Sequence, residues 1–95
     1  MKKCSEDEIH IELKKLSGWN YNNKSIEKNF TFKDFKETLT TMVRIGFEAE
    51  ALNHHPEWTN VYNKLNVRLS THDAGGITQK DFALAKKIDQ VCVFQ

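Results

Sequence analysis

From Leu65 to Ser70 the chain alternates without a break: Leu65, Val67 and Leu69 are apolar, and Asn66, Arg68 and Ser70 are polar. A period of two sends successive side chains to opposite sides of a strand, so this strand has one apolar and one wet face. Parallel sheets are covered on both faces; a sheet covered on one face only is antiparallel. The alternation therefore predicts an antiparallel sheet with all its packing partners on one side. The segment before it supplies a neighbour. Trp58, Asn60 and Tyr62 share one side of a period-two run, Thr59 and Val61 share the other, and a turn falls near Asn63-Lys64.

A second hairpin is predicted over 18–32. Trp19 and Tyr21 alternate with Asn, "NNKS" is turn chemistry, and Ile26, Phe30 and Phe32 share one side. Helices flank both hairpins. Ser5 and Glu8 have the spacing of a capping box, Ile9, Leu13 and Leu16 recur at helical intervals, and Gly18 follows as a stop. "TQKD" opens a last helix whose stripe is Leu84, Ala85, Ile88, Val91 and Cys92. The order α-β-β-α-β-β-α predicts a single α+β domain over 1–95, a four-stranded antiparallel sheet with three helices packed on one face.

The central helix, predicted over 33–53, is apolar on more than one side. Phe35, Leu39, Met42, Val43 and Gly46 form one stripe, and Ile45, Phe47, Ala49, Ala51 and Leu52 widen it. One side can face the sheet; the other requires a second subunit or a deep core. Pro56 ends the segment, because proline disfavours α geometry in the residue before it.

Fourteen Lys and Arg stand against 13 Asp and Glu, for a net charge of +1. That balance argues against direct nucleic-acid binding, which needs a basic excess. No apolar run approaches the roughly 20 residues of a membrane span, and no signal peptide is read at the start. Cys4 and Cys92 lie at opposite ends without CxxC spacing, which predicts free thiols in a reducing, cytoplasmic setting.

Three of the four histidines, His54, His55 and His72, cluster around the second hairpin, with the only proline directly after the pair. Glu50 and His54 are i and i+4, so a helical carboxylate could hold one imidazole nitrogen and fix its tautomer. His55 emerges where the chain leaves the helix. His72 continues the side carrying Asn66, Arg68 and Ser70. Metal binding is disfavoured: adjacent histidines on a helix diverge by roughly 100°, and no HExxH or CxxC spacing exists. The residues alone leave two readings open, general acid–base catalysis by imidazoles around a small pocket and solvated loop histidines. His10 belongs to the polar side of the first helix.

Taken together, the run from Glu50 to Asp81 resembles the signature of the pterin-4a-carbinolamine dehydratases. An acidic residue stands four before a histidine (Glu50, His54); His55 and Pro56 follow; Tyr62, His72 and Asp81 complete the pattern. "HHPEW", "NVYNK", "GGIT" and the earlier "GWNY" extend the likeness over most of the chain. The resemblance implies the same fold, and a hydro-lyase that removes water from 4a-hydroxytetrahydropterin to give quinonoid dihydropterin, in tetrahydrobiopterin recycling, without metal or organic cofactor. It implies His54 and His72 as proton-transfer residues with His55 assisting, and Glu50 orienting His54. Pro56, Thr71, Asp73 and Ala74 would border the pterin. Asp81 has two readings, helix cap and site support. Trp19 and Trp58 are candidates for pocket walls.

The resemblance also implies a homo-dimer or homo-tetramer assembled through the long helix. It further implies, as an alternative role, a dimerisation cofactor for a homeodomain transcription factor, with the nucleus as a second location. Thr38, Thr41, Ile45 and Glu48 are the surface expected to serve it. Two positions depart from common family usage, Asn53 and Lys80, and bear on pocket polarity.

Overall fold

A computed structural model describes residues 2–92. Its elements are α1 (Glu6–Leu13), β1 (Asn20–Asn22), β2 (Ser25–Thr31), α2 (Phe35–Leu52), β3 (Glu57–Val61), β4 (Lys64–Leu69), a 3-10 turn (His72–Ala74) and α3 (Gln79–Val91). The strands form one antiparallel sheet in the order β1-β2-β4-β3. This is the predicted α-β-β-α-β-β-α arrangement; α1 ends at Leu13, short of the predicted stripe that reached Leu16, and the other boundaries move by a residue or two.

Local chemistry explains where each element begins. Ser5 and Glu8 close the capping box on α1: Glu8 N–H donates to Ser5 Oγ at 3.1 Å and Ser5 N–H to the Glu8 carboxylate at 2.7 Å. That backbone bond from Ser5 holds the Glu8 carboxyl below its ordinary range. Asp34 caps α2 by accepting from Glu37 N–H at 2.8 Å. At its other end Asn53 adopts the left-handed conformation (φ 51°, ψ 44°), and the N–H groups of Asn53 and His54 return to the carbonyls of the last turn. Asparagine tolerates this geometry where most residues do not. The first hairpin turns on Asn23 and Lys24, both at positive φ, as a tight two-residue loop demands. The second turns one residue earlier than expected, on Tyr62 (φ 52°). Asn60 Nδ2 stabilises that turn by donating to the carbonyls of Tyr62 and Lys64.

The strand alternation holds. Ile26, Phe30, Leu65, Val67 and Leu69 are buried beneath the helices with Ile9, Ile45, Ala49, Phe82, Leu84 and Ile88. Full burial of such side chains stabilises by about 1.5–3 kcal/mol each before entropy is subtracted. The opposite face is polar; there Asn66 Nδ2 donates to Glu27 at 2.7 Å and Asn29 at 2.8 Å.

The long helix is two-sided, but not with the sides assigned from sequence. Thr38, Thr41, Ile45 and Ala49 are the buried residues of α2, so Thr38, Thr41 and Ile45 are core and not an available surface. Phe35, Leu39, Val43 and Phe47 are exposed, Phe47 by 70%. Thr38 can sit inside because its hydroxyl donates to Asp34 O at 2.8 Å, which satisfies its polar atom within the helix.

Antiparallel pairing also positions the loops. Glu57 opposes Arg68 in the β3–β4 ladder, so the chain entering β3 and the chain leaving β4 lie at the same end of the sheet. His54–Pro56 and Ser70–His72 are thereby brought side by side. Tyr62, in the hairpin turn, lies at the far end.

Candidate functional site

His54 follows directly on the left-handed Asn53, which turns it out of the helix line. Its ring is 11% exposed, and Nε2 lies 2.5 Å from Oδ1 of Asp81, whose side chain is fully buried. Asp81 is a helix cap as well as the partner of His54. As the third residue of α3 it closes a capping box, accepting the Thr78 N–H on Oδ2 at 2.9 Å. The same Oδ2 accepts the Thr71 hydroxyl at 2.8 Å. Thr71 gives its one proton to the carboxylate, so the 2.7 Å contact between Thr71 and Thr78 hydroxyls is donated by Thr78. A carboxylate so engaged accepts from His54 Nε2–H, and leaves Nδ1 as the ring's remaining polar atom.

Thr71 also anchors the second histidine. Thr71 and Gly76 form an isolated antiparallel bridge, with Thr71 N–H donating to Gly76 O at 2.8 Å. The loop between them closes through Ala74 N–H to Thr71 O and Gly75 N–H to His72 O, both 3.0 Å. Gly75 takes φ 74°, a conformation glycine adopts freely. His72 is the first residue of the short 3-10 turn so formed, and it is exposed.

His54, Thr71, His72, Asp73 and Ala74 line one cleft of about 350 Å³, together with Asn53 and Lys80. Asp81 stands behind His54. Glu50, His55 and Pro56 are not among the lining residues. Glu50 does not orient His54 as expected; its Oε1 pairs with His55 Nε2 at 2.8 Å, and both side chains are largely exposed. The reason is the turn at Asn53. It breaks the i, i+4 geometry after Leu52, swinging His54 towards α3 and His55 back over Glu50. An ion pair in open solvent contributes little.

Trp19 and Trp58 do not wall the cleft. Trp19 is core, with its indole N–H donating to Asp89 at 3.0 Å, and Trp58 packs half-buried against the same core. Asn53 and Lys80 are the lining residues that sequence reasoning passed over as site members; their one signal was departure from family usage. Among the described residues no three His, Cys, Asp or Glu side chains gather as metal ligands, and no helix is long and apolar enough to cross a membrane.

Comparison with known proteins gives a consistent result. The family profile described as pterin 4 alpha carbinolamine dehydratase matches residues 2–91. A protein of Christiangramia forsetii named "Putative pterin-4-alpha-carbinolamine dehydratase" is 56% identical over 91 residues, 96% of this chain and 94% of its own. A protein of Sulfurisphaera tokodaii with the same name is 50% identical, over 96% and 98%. The crystal structure of a transcriptional coactivator/pterin dehydratase from Brucella melitensis superposes with a TM-score of 0.92 at 36% identity, covering 95% of this chain and 98% of that one. A pterin dehydratase-like protein identified as a RuBisCO assembly factor shares the fold alone, with a TM-score of 0.67 at 19% identity over 78% and 88%.

Proposed function

The chain belongs to the pterin 4 alpha carbinolamine dehydratase family, and from that premise we propose that it dehydrates 4a-hydroxytetrahydropterin by histidine general acid–base catalysis, in tetrahydrobiopterin recycling. The observation that carries the proposal is the pair of imidazoles on one cleft, one of them locked by a buried carboxylate.

The reaction needs two proton movements and no redox step. The C4a hydroxyl takes a proton and leaves as water, the N5 proton departs to a base, and the C4a–N5 double bond forms. One imidazole gives and the other takes, and imidazoles exchange protons readily near neutrality. Asp81 holds the proton of His54 on Nε2, so Nδ1 is the atom that faces the chemistry. His72 works from the loop that Thr71 braces. Asn53, Asp73 and Lys80 supply polar groups for the edge of a flat, hydrogen-bonding bicycle. Ala74 borders the substrate, and His55, paired with Glu50 outside the lining, assists from the chain that leaves His54.

The test is a stopped-flow assay with freshly generated 4a-hydroxytetrahydropterin. Acceleration over the uncatalysed rate, lost in His54→Ala, is the expected result; a wild-type protein that leaves the rate unchanged would end the reading.

A second reading, a protein-interaction role for α2, is favoured by the exposed stripe of Phe35, Leu39, Val43 and Phe47 and by the coactivator description of the Brucella melitensis protein. We propose that this stripe is covered by other copies of the chain in a homo-dimer or homo-tetramer, with a transcription-factor partner as the alternative. A His54→Ala protein that still assembles but no longer turns over separates the two roles.

A further inference from the structure

A second cavity, of about 270 Å³, shares Thr71 and His72 with the histidine cleft and is lined further by Lys24, Ser25, Arg68 and Ser70. Arg68 is its unusual member. It lies on the polar face of the sheet, opposite Glu27 in one ladder and Glu57 in the other. It pairs with neither among the described ion pairs, and Glu27 is engaged by Asn66 instead. Its guanidinium donates from Nη2 to Ser25 Oγ at 2.8 Å. Its Nε is the one buried side-chain polar atom among the described residues without a hydrogen-bond partner. A buried donor left unmatched calls for an explanation, and a guanidinium fork is shaped to meet a carboxylate or phosphate.

The surroundings favour an anion. Arg68 and Lys24 set two positive charges against the single carboxylate of Glu57 in the lining. Lys24 lies in the β1–β2 turn at positive φ, and its side chain is exposed. Arg68 near the end of β4, Ser70 just beyond it and His72 at the start of the 3-10 turn all line this one cavity. A molecule held at His72 is therefore within reach of Arg68.

We propose that this cavity is the outer end of the substrate site and takes a carboxylate or phosphate carried on the substituent of the bound pterin. The inference rests on the dehydratase reading above and departs from its tetrahydrobiopterin assignment, because the dihydroxypropyl tail of that pterin is uncharged. It makes Arg68 a specificity-determining residue, with Lys24 adding charge. A neutral substituent leaves the Arg68 fork unmatched and binds more weakly.

The experiment compares 4a-hydroxytetrahydropterins bearing a carboxylate tail, a phosphate tail and a neutral hydroxyalkyl tail of equal length. Wild type is expected to show kcat/KM about tenfold or more higher for at least one anionic tail, through KM, the scale of a charge-assisted hydrogen bond. The tail with the larger preference names the anion. Arg68→Met is expected to bring the ratio of anionic to neutral kcat/KM towards one. Lys24→Asn, in an exposed turn that asparagine tolerates, should lower the same ratio and serves if Arg68→Met does not fold. Equal kcat/KM for all tails, or a preference that survives both substitutions, overturns the subsite while leaving the dehydratase reading intact. If no tail is turned over, the dehydratase reading fails and equilibrium binding of the stable oxidised pterins decides the subsite. Tighter binding of an anionic tail that Arg68→Met removes supports it, and equal binding ends it.

Discussion

His54 and Asp81 stand 27 residues apart in the chain, and their side chains meet at 2.5 Å, with the carboxylate fully buried. The contact joins the end of α2 to the first turn of α3. It makes one residue both a helix cap and the anchor of a candidate catalytic imidazole, so a change at Asp81 should be felt in folding and in chemistry together.

Asp81→Asn separates the two effects. Its amide oxygen can still accept the Thr78 N–H, but its NH2 then faces His54 and donates where the carboxylate accepted. The His54 proton should move from Nε2 to Nδ1, visible in the nitrogen NMR shifts of the ring, and turnover should fall by roughly 10²-fold, the scale of a lost general acid or base. Unchanged ring shifts would show that Asp81 does not set the tautomer.

Asp81→Ala should cost stability as well. It removes a helix cap and strips the Thr78 N–H and Thr71 hydroxyl of their buried acceptor. The expected loss is about 2–4 kcal/mol, read from the urea midpoint. A loss below about 0.5 kcal/mol, the scale of an ordinary surface substitution, would mean that water replaces the carboxylate.

His72→Ala leaves the Thr71–Gly76 bridge intact, because that bridge is backbone. The fold should survive, since the side chain is exposed, while dehydration slows by roughly 10²-fold or more. Only a few-fold change in both His72→Ala and His54→Ala would withdraw the proton-transfer assignment.

Phe47→Glu combined with Leu39→Glu places charge on the exposed stripe of α2 without touching the buried Thr38, Thr41 and Ile45. The wild-type protein should sediment as more than one subunit and the double variant near the 11.1 kDa of one chain. A wild type already at that mass would remove the proposed assembly.

Burial pushes the Cys92 thiol up to about 11, with the Asp89 charge adding to the effect and Lys28 and Arg44 opposing it. A thiol raised above its unfolded value favours the folded state wherever it stays protonated. Its contribution is complete below pH ~8.5, the ordinary thiol value, and is lost as pH rises through about 11. Native protein should therefore resist alkylation at Cys92 at pH 7.5 and react once unfolded, by mass spectrometry of the labelled peptide. Cys92→Ala should flatten the decline in stability above pH 9.

What could be read before any coordinates was what neighbouring residues settle among themselves. The Leu65–Ser70 alternation, the Ser5–Glu8 and Thr78–Asp81 boxes and the turn at 23–24 are decided within a few residues, by periodicity and by hydrogen bonds that reach three positions. They suffice for the order of elements and for a sheet covered on one face. The pattern of His54, His72 and Asp81 was legible too, as a pattern. Its wiring was not. Which apolar stripe of α2 would turn inward depended on the shape of the sheet beneath it, and Thr38 went in because its hydroxyl found a carbonyl within the helix. Which carboxylate would hold His54 depended on how α3 docks, because one left-handed residue, Asn53, redirects the side chains on either side of it. Spacing along a chain predicts partners only while the helix continues; past its last turn, distance is set by packing between segments that the sequence lists far apart.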